Sequence, residues 1–378
     1  MQPNGIGLGT PTDDGPTKLR RSDRQSMVSH RSEAEQFGRS DGPDPASTRA
    51  RNIGRQRAQE NLANHYLGQQ KLEEASQIYE RLIGPACDSP SVYNNLAAIY
   101  WLRGQPDAME PVLHRALELD PEYPDAHYNL GLALEAKGNT DHAISAYERA
   151  IKLNPDHGDA RVNLGLALVR KGELDAAIAC HRKALHRQPG GADLHLNLGL
   201  ALMAKGLHDQ AVESFQQALR LRPAFAAAHA SLGLALKELN KLQEAIAAYR
   251  QALAIEPNDA SAQCNLGNAL HHIGDQQEAV KAFKKAIAIK PDCVEALSNL
   301  GLASLEQDAI DEAIDYFLQA LKYQPEFATA HYNLGLAYQK QGQLDQAAKA
   351  YGKAIAHRPG YIEAHANLGS VHHMVGNL

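Results

Sequence analysis

"NLGLALEAKG" occupies Asn129–Gly138, and close copies return as "NLGLALVRKG" from Asn163 and "NLGLALMAKG" from Asn197. The spacing is 34 residues, and a fixed period of that length is written by a helix-turn-helix solenoid. Gly131, Gly165, Gly199, Gly233, Gly267, Gly301, Gly335 and Gly369 keep the phase, and Ala63 and Ala97 continue it backwards. With this small residue numbered position 8 of the repeat, positions 20 and 27 are alanine in nearly every copy, as at Ala143 and Ala150. Small residues at fixed places let two helices approach closely. Position 24 supplies bulk between them and is aromatic in seven of nine repeats: Tyr79, Tyr147, Phe215, Tyr249, Phe283, Phe317 and Tyr351. Position 15 is glycine in most copies, with Asn240 and Asp308 in two others, residues that tolerate the left-handed turn closing a helix. Position 32 is proline from Pro121 onward, which stops the second helix.

The rest of the sequence sets the frame. The chain has 378 residues, is 44% apolar and contains no apolar run long enough for a membrane span. Residues 1–51 hold 8 Lys or Arg against 7 Asp or Glu, so they carry about +1 of a net charge of −6 and the remainder carries about −7. A mildly acidic body argues against phosphate-backbone binding, so no nucleic acid and no membrane is expected as a partner. The four cysteines, Cys87, Cys180, Cys264 and Cys293, fall at unrelated spacings without a CxxC, which points to a reducing, cytoplasmic setting. Before residue 56 the chain is rich in Gly, Pro, Ser, Asp and Arg, with too few apolar residues to offset the entropy of ordering. A disordered tail over 1–55 is therefore expected.

The spaced positions resemble the tetratricopeptide repeat pattern, and the resemblance covers residues 56–378. It implies an all-α fold, a right-handed α-solenoid whose concave groove serves as an interaction platform. Nine full repeats span 56–361, starting at Gln56, Pro90, Pro124, Gly158, Ala192, Ala226, Ala260, Val294 and Ala328, and residues 362–378 form the first helix of a tenth. The first two repeats depart from the pattern, with Cys87 in place of proline and Met109 and Leu113 in place of the small and aromatic residues. The first helix from Ile362 carries Leu368, Gly369 and Val375, suited to packing on a second helix. Either the chain is a truncated product or this end is covered, with self-association through the uncapped helix as one route.

At 100° per residue, positions 1, 4, 7, 8 and 11 of the first helix form one stripe and positions 2, 6, 9 and 13 the other. Position 7 is leucine in every repeat, so the first stripe should face the second helix and the other should point into the groove. Position 6 then projects nine asparagines: Asn61, Asn95, Asn129, Asn163, Asn197, Asn265, Asn299, Asn333 and Asn367, with Ser231 in the sixth repeat. A side-chain amide donates and accepts, so such a ladder could bond the peptide units of a passing extended chain. Position 9 adds an apolar rail that includes Leu132, Leu166, Leu200 and Leu234, and position 2 adds Asp125, Asp159 and Asp193. The competing reading is that this asparagine belongs to the general repeat consensus and merely keeps the groove wet.

The asparagine ladder resembles the superhelix of protein O-linked N-acetylglucosamine transferases. That resemblance implies groove asparagines holding extended substrate peptides, with Asp125, Asp159 and Asp193 as candidate selectivity residues and a catalytic domain outside this sequence. The clamp of the chaperone-tail binders, which needs Lys at position 5, has no counterpart here: that position holds Glu60, Asn94, Tyr128, Val162, Leu196 and other residues, none of them lysine. His127, His195, His229, His331 and His365 all occupy position 4 on the packed stripe, one repeat apart, too far to share a metal ion. No nucleophile elbow, metalloprotease motif or phosphate loop stands in a suitable context. The expected protein is a non-enzymatic scaffold that uses no cofactor and binds extended protein segments.

Overall fold

The computed structural model describes the backbone of residues 45–376, apart from 85, 86 and 188, and the side chains from Ile53 onward. Most of the expected tail lies outside the described residues. The first helix starts at Pro45, so residues 45–55, assigned to the tail above, are helical instead; proline's fixed φ suits a first helical position.

The described residues form nineteen helices and no strand. The chain divides into two units at residues 180 and 181. The first unit holds α1 (Pro45–Gly68), α2 (Leu72–Leu82), α3 (Pro90–Leu102), α4 (Pro106–Leu119), α5 (Pro124–Ala136), α6 (Thr140–Leu153) and α7 (Gly158–Lys171). The boundary falls within α8 (Leu174–Arg187). The second unit continues with α9 (Ala192–Ala204), α10 (His208–Leu221), α11 (Ala226–Glu238), α12 (Leu242–Ile255), α13 (Ala260–His272) and α14 (Gln276–Ile289). It ends with α15 (Val294–Glu306), α16 (Ile310–Tyr323), α17 (Ala328–Lys340), α18 (Leu344–His357) and α19 (Ile362–Gly376). Odd-numbered helices are the first and even-numbered helices the second of each repeat. None is long and apolar enough to cross a membrane.

Within each unit first helices pack on their own second helices, as α5 does on α6 and α17 on α18. The ring at position 24 fills that interface. Tyr147, Tyr249, Phe215 and Phe317 are fully buried, and the glycine at position 8 makes room for them. A Cβ built on Gly233 would lie 2.7 Å from Cε1 of Tyr249, closer than carbon atoms pack. The helix ends follow the sequence. Asn240 and Asp308 take φ of 58° and 66°, as position 15 requires, and Gln70 joins them at 59° in the first repeat. Residues ahead of the position-32 prolines are extended, as Asp120 is at φ −138°, ψ 94°. The irregular second repeat packs soundly, with Met109 and Leu113 fully buried beside Tyr79 and Leu96.

Position 7 is buried at Leu96, Leu164, Leu198, Leu266, Leu300 and Leu334 and half-buried at Leu130, Leu232 and Leu368. Leu62 is 44% exposed, because no described second helix precedes α1. On α19, Val371 is buried against Ala347 and Tyr351, while Ile362, Met374 and Val375 are exposed.

Candidate functional site

First helices also touch the first helices of neighbouring repeats, α3 beside α5 in the first unit and α11, α13, α15 and α17 in sequence in the second. This lateral contact changes the placement of the position-6 asparagines. Asn95, Asn129, Asn163 and Asn333 are buried, Asn197, Asn265, Asn299 and Asn367 are half-buried, and Asn61 is exposed. A uniformly open row of amides is therefore not what the fold presents. The helical wheel places these residues away from the second helix, and the adjacent first helix then covers them.

Five of the amides are engaged inside the protein. Asn95 Nδ2 donates to Asn64 Oδ1 at 3.0 Å, Asn129 Nδ2 to Asn94 Oδ1 at 2.9 Å and Asn163 Nδ2 to the Tyr128 hydroxyl at 3.1 Å. In the second unit Asn299 Nδ2 donates to Asn268 Oδ1 at 2.6 Å and Asn367 Nδ2 to the Tyr332 hydroxyl at 3.3 Å. These acceptors stand at position 5 or 9 of the preceding repeat, and Asn95 Nδ2 also reaches the Tyr79 hydroxyl at 3.4 Å. These bonds tie one first helix to the next, and burial raises the Tyr128 hydroxyl far above its usual range, so it stays protonated. Asn61, Asn197 and Asn265 make no such bond among the described residues.

The position-9 rail is uneven. Leu132 is buried, Leu166 and Leu200 are half-buried, and Leu234 is 36% exposed. The acids are largely spoken for. Asp193 accepts two bonds from Arg222, at 3.1 and 2.5 Å, and Arg222 lies 4.3 Å from the Phe225 ring. Asp125 sits 3.3 Å from His157 Nε2. Desolvation holds the Asp159 carboxyl above the usual carboxylate range, with the Asp125 charge adding in the same direction against His157, although Asp159 still reaches the surface. Free carboxylates for a basic ligand are thus fewer than the sequence suggests.

The position-4 histidines serve the chain itself. A ring nitrogen of His127, His229, His331 and His365 pairs with the carbonyl of the proline six residues earlier, at 2.9, 3.0, 2.7 and 2.9 Å. Arg161 donates to Pro155 O at 2.6 Å from the same position. Each contact closes the loop between repeats, satisfying a proline carbonyl that lies beyond the end of the second helix.

This geometry can be set beside known proteins. A tetratricopeptide family model described as the cilia and flagella-associated protein 70 C-terminal domain matches residues 31–263, more than half of the chain. The chain belongs to that family. Single tetratricopeptide repeat models match 260–293 and 328–361, and a further repeat model matches 305–342, so the repeat assignment extends beyond the longer match. No curated protein sequence matches. Among solved structures, the APC/C hetero-tetramer Cut9–Hcn1 is similar with a TM-score of 0.56 and 19% identity, over 79% of this chain and 59% of that one. The chain thus spans well under two thirds of that relative, and the likeness concerns the fold. MamA is 33% identical over 44% of this chain and 96% of its own, with a TM-score of 0.41. YrrB, described as a tetratricopeptide protein with an unusual peptide-binding site, is 25% identical over 49% of this chain and 95% of its own, also at 0.41.

In this tetratricopeptide chain, the residues that sequence reasoning missed are the acceptors: Asn64, Asn94, Tyr128, Asn268 and Tyr332. A signal for them was present. A position-6 asparagine is captured wherever the preceding repeat carries Asn or Tyr at position 5 or 9. Ahead of Asn265 those two places hold Ala230 and Leu234, and ahead of Asn197 they hold Val162 and Leu166. Apolar residues there leave the amide without an acceptor.

Proposed function

We propose that this chain is a protein-binding scaffold that holds extended segments along the first-helix face, using the asparagines that its own neighbours do not engage. The observation that carries this reading is the pairing, in the second unit, of half-buried Asn197 and Asn265 with the half-exposed to exposed leucines Leu200 and Leu234. An amide can bond the N–H and C=O of one ligand peptide unit, and leucine beside it gives apolar ligand side chains a surface to cover. The repeat fold itself is one that generally works as a non-catalytic scaffold. Asp193, tied to Arg222, contributes little net charge to selection, so the preferred segment is extended and partly apolar rather than strongly basic.

The test is a random-peptide display library panned on the full chain, followed by calorimetry with a selected peptide. Two amide bonds in a partly wet site contribute about 0.5–1.5 kcal/mol each, so Asn197→Ala with Asn265→Ala should weaken the peptide roughly 5-fold or more. The engaged Asn163→Ala should leave affinity within about 2-fold while lowering stability. The reverse ranking, or selected peptides that bind the double variant unchanged, would remove the amides from the binding face.

A further inference from the structure

Positions 5 and 34 of one repeat meet in the first, third and ninth repeats. In the first repeat Ser89 donates to both carboxylate oxygens of Glu60 at 3.2 Å. In the third the rings of Tyr128 and His157 lie 4.8 Å apart, and in the ninth those of Tyr332 and Tyr361 lie 4.9 Å apart. The seventh repeat fills the same two places with Cys264, in the middle of α13, and Cys293, the N-cap of α15. α13 packs on α15, so the pairing of positions 5 and 34 seen in the first, third and ninth repeats places the two thiols side by side. Both thiols are free, at 6% and 8% exposure. Cys87 and Cys180 stand elsewhere, Cys180 directed at the carbonyl of Arg161 at 3.4 Å.

We propose that Cys264 and Cys293 are a peroxide-oxidisable dithiol that closes as a disulfide across the junction of the seventh and eighth repeats. The division of roles follows from the different places of the two thiols, Cys264 inside a helix and Cys293 at a helix start. The interaction with Cys264 lowers the Cys293 thiol against the cost of its burial, helped by the backbone N–H of Ala296 at the start of α15, while the same interaction and burial push the Cys264 thiol up. Cys293 is the thiolate and Cys264 keeps its proton. The Cys293 sulfur attacks one peroxide oxygen, an S–O bond forms as the O–O bond breaks, and the departing hydroxide takes up a proton to leave as water. The Cys264 sulfur then attacks Cys293, an S–S bond forms as the S–O bond breaks, and the hydroxyl leaves as a second water with the Cys264 proton. The two thiols lose two electrons and the peroxide gains them. Closure would pin α13 to α15 beside Asn265 and the Asn299–Asn268 bond, stiffening a stretch of the first-helix face; the chemistry itself does not depend on peptide binding.

The experiment uses the full chain, reduced, desalted and treated with hydrogen peroxide in small excess, then alkylated with N-ethylmaleimide in denaturant. The expected result is loss of two of the four alkylatable thiols, a cross-linked pair of tryptic peptides carrying Cys264 and Cys293, and recovery of all four after dithiothreitol. With dimedone present, Cys264→Ser should trap a sulfenic acid on Cys293, and Cys293→Ser should leave Cys264 unlabelled, with circular dichroism checking that both variants fold. Retention of four thiols in the wild-type chain, or a disulfide that joins any other pair, would overturn the proposal. So would dimedone labelling of Cys180 in preference to Cys293 in the Cys264→Ser variant.

Discussion

His181 gives the repeats a definite acid sensitivity. It stands in α8 at position 24, where seven repeats place a Tyr or Phe ring, and it is fully buried. Neither ring nitrogen has a hydrogen-bond partner among the described residues. Burial lowers its pKa from 6.5 to about 4. The folded chain therefore keeps the imidazole neutral where the unfolded chain already binds a proton. Between those two values the unfolded state holds more protons, so stability rises with pH across that window. The contribution is intact above about pH 6.5, declines as pH falls towards 4 and levels off below. The full shift corresponds to on the order of 3 kcal/mol, of which about 1 kcal/mol is lost by roughly pH 5.5 and between about 2 and 3 by roughly pH 4.5. His181→Phe installs the ring that Phe215, Phe283 and Phe317 supply elsewhere and removes the titration. Urea unfolding of both proteins, followed by far-UV circular dichroism at about pH 7.5, 5.5 and 4.5, isolates the term, because all other titrating groups are shared. The variant should gain on the wild-type chain steadily as pH falls. A stability difference that stays constant from neutral to acidic pH would refute the reasoning.

The remaining predictions concern packing and modularity. Asn163→Ala strands the buried Tyr128 hydroxyl and should cost about 1–2 kcal/mol, whereas the exposed Asn61→Ala should cost under about 0.5, both read by urea unfolding; equal costs would detach the amides from the inter-repeat bonds. Gly233→Ala pushes a methyl group into the Tyr249 ring and should lose about 1–3 kcal/mol despite alanine's better helix propensity, so a variant that melts higher would contradict the close approach. Removing Ala226–Asp259, one full repeat of α11 and α12, should leave a helical and soluble protein, since each repeat contacts its neighbours alone; removing Ala226–Leu242 should not. Circular dichroism and melting that respond alike to both deletions would count against the solenoid.

The helices were legible because the period fixes them. Gly104, Asn240 and Asp308 at position 15 and the prolines at position 32 act on their own backbone, so each could be placed without knowing its neighbours. Gln70 escaped notice because glutamine has no preference for the left-handed region, and position in the repeat overrides composition there. The candidate site was less legible for a related reason. A helical wheel tells which side of one helix an asparagine leaves by, and it is silent about the next helix covering that side. Nine residues that look equivalent along the sequence therefore have different fates: Asn129 is sealed against Asn94, Asn299 against Asn268, and Asn265 is left half-buried with its amide unclaimed among the described residues. What separates them is the residue 31 or 35 places earlier, as Asn268 is to Asn299 and Asn94 to Asn129. In a repeat protein such offsets are the lateral equivalent of the i to i+4 pairing within a helix. The polar or apolar character of positions 5 and 9 thus decides, repeat by repeat, whether the following asparagine joins helices together or stays available to a partner.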